Sequence, residues 1–215
     1  MRNDVVCKEF LVRKIIPQEL ISYRDAIKMA FERIEQNMVI SSWTDSASSS
    51  LTNLDVYHHI EVPINGCSKD RKWIEIAPDK VEEVTNRFFN IGGENGWYYA
   101  DTLWRIRGML DKLMGGVGIS RGRRSKVDVD PGDTIDFWRV LLADRQNHRL
   151  LLYAEMKLPG EAWLEFSIVK NENRSILKQT ATFRPKGIMG RNYWYSMLPF
   201  HFFIFRNMIK EIAGK

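Results

Sequence analysis

The sequence predicts an α+β domain, an antiparallel sheet curled round a long C-terminal helix, with a short N-terminal appendage. Three observations point there. First, residues 190–213 carry aromatic and aliphatic side chains round most of a helical circumference, among them Trp194, Met197, Phe200, Phe203, Phe205 and Met208. That is too much apolar surface for a helix standing in water, and Arg191, His201 and Arg206 leave an uncharged run well short of the ~20 residues that crossing a bilayer requires. Second, four strand-like runs precede it, residues 134–142, 149–158, 162–170 and 175–184, separated by short turn-forming stretches such as Pro159-Gly160. Such gaps suit hairpins and are too short for parallel crossovers. Third, the order strand, helix, helix, meander, long helix puts the helices against an antiparallel sheet.

In chain order, residues 5–16 read as a short strand ended by Pro17. Ser22 opens a helix, with Asp25 three positions on as a capping box and Ile27, Phe31 and Ile34 on one face. That stripe calls for a partner surface, either the main body or a second copy of the chain. Residues 38–43 suggest a further short strand, and the small polar residues 45–50 a flexible joint. The division expected is residues 1–52 and residues 53–215. Asn65-Gly66 marks a turn, and residues 72–77 alternate as a strand up to Pro78. Pro78-Asp79 then starts a helix with Val81, Val84, Phe88 and Phe89 inward, stopped by Gly92-Gly93. A second helix is expected over residues 97–114, with Tyr98, Leu103, Trp104, Ile106, Leu110 and Leu113 at close to helical spacing. Pro131-Gly132 makes the turn into the meander.

Register within the meander stays open. A two-residue loop at Pro159-Gly160 pairs Met156 with Trp163, which sends Leu150, Leu152 and Ala154 to one face and Leu164, Phe166 and Ile168 to the other. Either the loop is longer or both faces are covered.

The balance of 32 Lys+Arg against 27 Asp+Glu gives a net charge of +5, a value that keeps a domain soluble and argues against nucleic acid when no zinc spacing or RNA-binding signature accompanies it. Two cysteines, Cys7 and Cys67, make no disulfide framework in a chain this long, and the charged N-terminus has no secretory apolar core. The expected setting is cytoplasmic, with reduced thiols.

The motifs Gly92-Gly-Glu-Asn-Gly-Trp-Tyr-Tyr-Ala-Asp-Thr-Leu-Trp, Asp136-Phe-Trp-Arg-Val, Ala154-Glu-Met-Lys-Leu-Pro-Gly-Glu-Ala-Trp-Leu-Glu-Phe and Gly190-Arg-Asn-Tyr-Trp-Tyr, followed by Leu198-Pro-Phe-His, resemble a START-like (helix-grip, SRPBCC-type) family, domain of unknown function 2867. The resemblance runs from about residue 67 to the C-terminus. It implies a helix-grip fold with a cavity, commonly placed behind an NAD(P)-binding atypical short-chain dehydrogenase module, whose last piece residues 20–27 and 41–45 resemble. No Gly-x-Gly-x-x-Gly follows a strand, so no dinucleotide cofactor is expected to bind this chain.

A helix this aromatic laid across a curled sheet leaves an apolar pocket of roughly 300–1,000 Å³. Its expected walls are Trp104, Trp138, Phe166, Tyr193 and Met197, with His201 and one of Glu155 or Glu165 to orient a guest. Each candidate has a plainer account. Glu155, Lys157 and Glu165 are either an acid-base set or a cross-strand ion pair on a wet face. His201 is a ligand contact or a core histidine, and the tryptophans are pocket lining or core. Arg121, Arg123, Arg124 and Lys126 form an anion site or a solvated loop. His58-His59 has no spaced partner for a metal, and no catalytic residues are assigned. Two roles lead, a binding module for a hydrophobic or amphipathic small molecule, or an accessory unit docking on a separate NAD(P)-binding reductase-like protein; a third, enzymatic reading gives the cavity carboxylates and His201 acid-base work on a bound hydrophobic substrate.

Overall fold

The computed structural model describes residues 21–35, 61–92, 95–113, 115–116, 129–171 and 174–215, with the backbone alone for residues 30–35. The chain divides into two compact units, Met1–Ser41 and Ser42–Lys215. In the first, helix α1 (Tyr23–Glu35) begins where the capping pattern places it. The Asp25 amide donates to Ser22 Oγ at 3.2 Å, and the same hydroxyl donates to Asp25 Oδ2 at 2.6 Å. Of the expected stripe, Ile27 is exposed; the side chains of Phe31 and Ile34 lie outside the described residues, as do the strands expected at 5–16 and 38–43, the joint at 45–50, His58-His59 and the basic loop.

The second unit follows the predicted order. Strand β1 (Ser68–Ile76) leads through a single 3-10 turn (Pro78–Lys80) into α2 (Val81–Phe89), then α3 (Asp101–Leu113), and the strands β2 (Thr134–Ile135), β3 (Trp138–Asp144), β4 (Arg149–Ala154), β5 (Gly160–Asn171) and β6 (Arg174–Pro185), before the 27-residue helix α4 (Gly187–Ala213). The six strands form one antiparallel sheet in the order β1-β6-β5-β4-β3-β2. The first strand therefore closes against the last, which no local signal in the chain announces.

Two expectations about local structure are corrected. The run at 134–142 is broken in two, because Asp136 takes a left-handed φ of 53° and turns Ile135 back onto Trp138. Its carboxylate accepts the Trp97 indole N–H at 2.8 Å, which stabilises a conformation that is rare for a residue with a β-carbon. Likewise α3 begins at Asp101 and not at residue 97: Tyr98 and Ala100 have φ near +60°, and the Asp101 carboxylate accepts the Trp97 amide N–H at 2.7 Å across the turn that precedes the helix.

The β4–β5 register resolves the open choice. Leu152 faces Leu164 and Leu150 faces Phe166, so residues 155–159 form the longer loop. Both apolar sets then meet on the concave face beneath α4. The outer face is partly covered as well: Leu141, Leu151, Tyr153 and Trp163 form a second cluster with Val62 packed on it. A bulge at Leu141 lets β3 serve both clusters.

Candidate functional site

The concave face carries a gradient of side-chain size. Along β5 it reads Ala162, Leu164, Phe166, Ile168, and the paired positions on β6 read Phe183, Ala181, Gln179, Leu177. Where the residues are large, Phe166 stacks on Phe88 of α2 at 5.9 Å and the core is closed by Met208, Ile209 and Ile212 of α4. Ala162 and Ala181 leave the opposite end short of side-chain volume. A cavity of about 300 Å³ lies there, at the lower bound of the range expected from the sequence.

Its floor is Trp138, Ala162, Ala181 and Phe183 from the sheet, with Met156 and Leu158 from the long β4–β5 loop. Helix α3 contributes Trp104 and Arg107, with Leu103, Ile106 and Leu110. The last three stand well exposed, so much of the apolar stripe at helical spacing forms the rim of the cavity; only Trp104, Gly108 and Asp111 of α3 are buried. The cover is α4, through Tyr193, Trp194, Met197 and His201, with Phe200, Ile204 and Phe205. Trp194 lies flat on Phe183 at 5.7 Å, and Gly190 passes close above the β4–β5 loop, where a β-carbon would meet the Pro159 carbonyl at 2.3 Å. The helix can seat at this height only with glycine there.

The structure thus brings together five of the candidate residues, Trp104, Trp138, Tyr193, Met197 and His201, round one cavity. Three others lie elsewhere. Phe166 belongs to the filled end of the core. Glu155 is buried in a two-pronged pair with Arg139, whose Nε–H donates to Oε1 at 2.8 Å and whose Nη2–H donates to Oε2 at 3.2 Å. A buried guanidinium in an apolar strand needs such a counter-charge, which is why Glu155 turns to it and away from the cavity. Glu165 accepts from Arg149 Nε at 2.6 Å in a half-exposed cross-strand ion pair. Lys157 gives its backbone N–H to Asp111 Oδ1 at 2.7 Å. Of the two accounts open for this trio, the acid-base set is not assembled, and Glu165 lies in a cross-strand ion pair with Arg149.

The polar groups that do face the cavity are few. Burial pushes the His201 pKa down to about 4; Asp70 opposes this, while Lys72 and Arg107 add to it. The imidazole is neutral near pH 7, and its ring packs between Trp194 and Phe205 at 5.2 and 4.8 Å. Burial raises the Tyr193 pKa, with Arg107 pulling it back and Asp111 adding to the rise, so the phenol keeps its proton. Arg107 is the residue that sequence reasoning passed over. The signal was its position three after Trp104 and four before Asp111, on the buried side of α3. Trp97, by contrast, is pure core, its ring 5.1 Å from Trp104 and 6.0 Å from Trp138. Among the described residues there is no cluster of three His, Cys, Asp or Glu side chains suited to a metal ion, and no helix long and apolar enough to cross a membrane.

Comparison with curated proteins returns no match. Among solved structures the chain is similar to Ara h 8.0201 (12% identity, TM-score 0.33, covering 69% of this chain and 97% of that one). It is also similar to norcoclaurine synthase from Thalictrum flavum in complex with dopamine and hydroxybenzaldehyde (11% identity, TM-score 0.39, 68% and 86% covered), and to CalU16 from Micromonospora echinospora (10% identity, TM-score 0.32, 68% and 83% covered). Residues 68–208, which include every residue bounding the cavity, match the family described as "Protein of unknown function (DUF2867)", and the chain belongs to that family.

Proposed function

We propose that the protein is a binding module for a hydrophobic or amphipathic small molecule held between the sheet and α4. The observation that carries this reading is the cavity itself: about 300 Å³ walled by aromatic and aliphatic side chains, in a domain whose other end is closed by the buried Phe88, Phe166, Met208 and Ile212. Interiors close over such space unless backbone and side-chain shape hold it open. Here Ala162 and Ala181 below, and the aromatic stack of Phe183 on Trp194 above, keep it open. Of the two leading roles, the cavity favours the binding module over the accessory unit of a reductase.

The test is displacement of a neutral fluorescent apolar probe, N-phenyl-1-naphthylamine. Wild-type protein should bind it in the micromolar range, and Met197→Trp, which places a larger ring in the cavity, should lose at least tenfold in affinity while its unfolding midpoint stays close to wild type. Equal binding by the two proteins, or none by either, would overturn the proposal.

A further inference from the structure

Resting on that reading, we infer that the guest carries a negative charge: the cavity takes a hydrophobic monoanion, a carboxylate in the first instance, with its head group on Arg107. Among the described residues the wall contains one permanently charged side chain, Arg107, and neither an aspartate nor a glutamate. With His201 held neutral by burial, that described lining bears a net positive charge at pH 7.

What surrounds Arg107 is equally telling. Its Nη2–H donates to the thioether sulfur of Met156 at 3.2 Å, and its guanidinium carbon sits 5.5 Å from the centre of the Tyr193 ring. Both are soft, weak partners for a group with five N–H donors in a fork that fits a carboxylate. Asp111, one turn on, accepts the Lys157 backbone N–H at 2.7 Å. Guanidinium groups elsewhere in the domain end on carboxylates or carbonyls, as the buried Arg139 does on Glu155 and the Gly132 carbonyl and the half-exposed Arg87 does on Glu83 and the Glu211 carbonyl. Arg107 alone among the cavity residues is left able to form a charge-assisted pair, and the phenol of Tyr193, kept protonated, stands beside it as a second donor.

Size narrows the class further. A cavity of about 300 Å³ holds roughly ten water-sized groups, which suits a medium-chain acid or a two-ring aromatic acid.

Three ligands of one chain length separate the readings: decanoate, 1-decanol and decylamine, each used to displace N-phenyl-1-naphthylamine from wild type, Arg107→Met and Arg107→Lys. On wild type, decanoate should displace the probe at about ten- to a hundredfold lower concentration than decanol, the range of a charge-assisted hydrogen bond, with decylamine weakest. Arg107→Met should bring decanoate to within about threefold of decanol and leave decanol unchanged; Arg107→Lys should keep part of the preference. Equal displacement by decanoate and decanol on wild type overturns the charge assignment while binding stands, and so does an Arg107→Met protein that weakens both alike. Failure of the probe to bind wild type removes the binding proposal itself. If Arg107→Met does not fold, the wild-type ranking and Arg107→Lys decide.

Discussion

The two halves of α4 have similar compositions and different fates. In residues 204–213, Ile204, Phe205, Met208, Ile209, Ile212 and Ala213 are buried; in residues 187–203 only Gly190 and Trp194 are. Tyr195, Phe200, Phe202 and Phe203 stand exposed, Phe203 to 62%. The C-terminal half lies on Phe88 and Phe89 of α2 and on the large residues of the sheet. Arg87 clamps its end by donating from Nη1 to the Glu211 carbonyl at 3.0 Å, and Gly214 terminates it in the left-handed conformation. The other half spans Ala162 and Ala181. Burial along this helix is thus decided by what lies opposite it, and its own apolar content only permits it.

Substitutions that act on one half and spare the other would sharpen or break this contrast. The largest effect belongs to the closed half: Met208→Ala should lower unfolding free energy by about 2–5 kcal/mol in urea titration, because a fully buried methionine leaves a void its neighbours cannot fill. A loss below 1 kcal/mol would mean that this end too is loosely packed.

Next comes His201, at the boundary. Its folded pKa of about 4 lies below the ordinary value of 6.5, so the unfolded chain binds the proton more readily. Its contribution is therefore fully present above pH 6.5, falls as pH drops from 6.5 towards 4, and levels off below. The swing should be roughly 2–4 kcal/mol, read as the difference in stability between pH 7 and pH 4.5 that His201→Phe abolishes. Asp70 and Lys72 of β1 and Arg107 of α3 face the same ring, so the comparison is of the variant against wild type at each pH. An unchanged pH profile in His201→Phe would place the ring in water.

Over the cavity, Met197→Ala should cost under about 1.5 kcal/mol, since the side chain already borders open space and its removal creates little new void. Smallest of all, Phe203→Ser on the outer face should shift stability by no more than about 0.5 kcal/mol. A loss of 2 kcal/mol there would reveal that the exposed aromatics are covered in solution, and the two halves would be alike after all.

The sequence announced the long helix and the meander because both rest on strong one-dimensional signals, aromatic density in residues 190–213 and turn residues at regular spacing. The Ser22 cap was legible for the same reason: its partner is three residues away. Strand register was not, since Leu150 to Ala154 are all buried and alternation carries no information when both faces of a strand are covered. The break at Asp136 depends on an indole 39 residues earlier, and the destination of Glu155 on a guanidinium 16 residues earlier. Of the site, the aromatic walls could be read from their density, whereas Arg107 could not be told from any other charge on an amphipathic helix until the cavity beside it was known.

Pro199 stands inside the exposed half of α4, five residues before Ile204, where burial resumes. It has no N–H to give to the carbonyl of Tyr195, so the ladder of hydrogen bonds is interrupted shortly before the packing changes. The consequence lies in time more than in shape. Residues 187–198 are therefore expected to lift and reseat on the microsecond-to-millisecond scale of loop and helix motions without disturbing residues 204–213, whose release requires the core to open. Their amide protons should exchange orders of magnitude faster than those near Met208, and entry to the cavity should be governed by that local opening and not by unfolding of the domain.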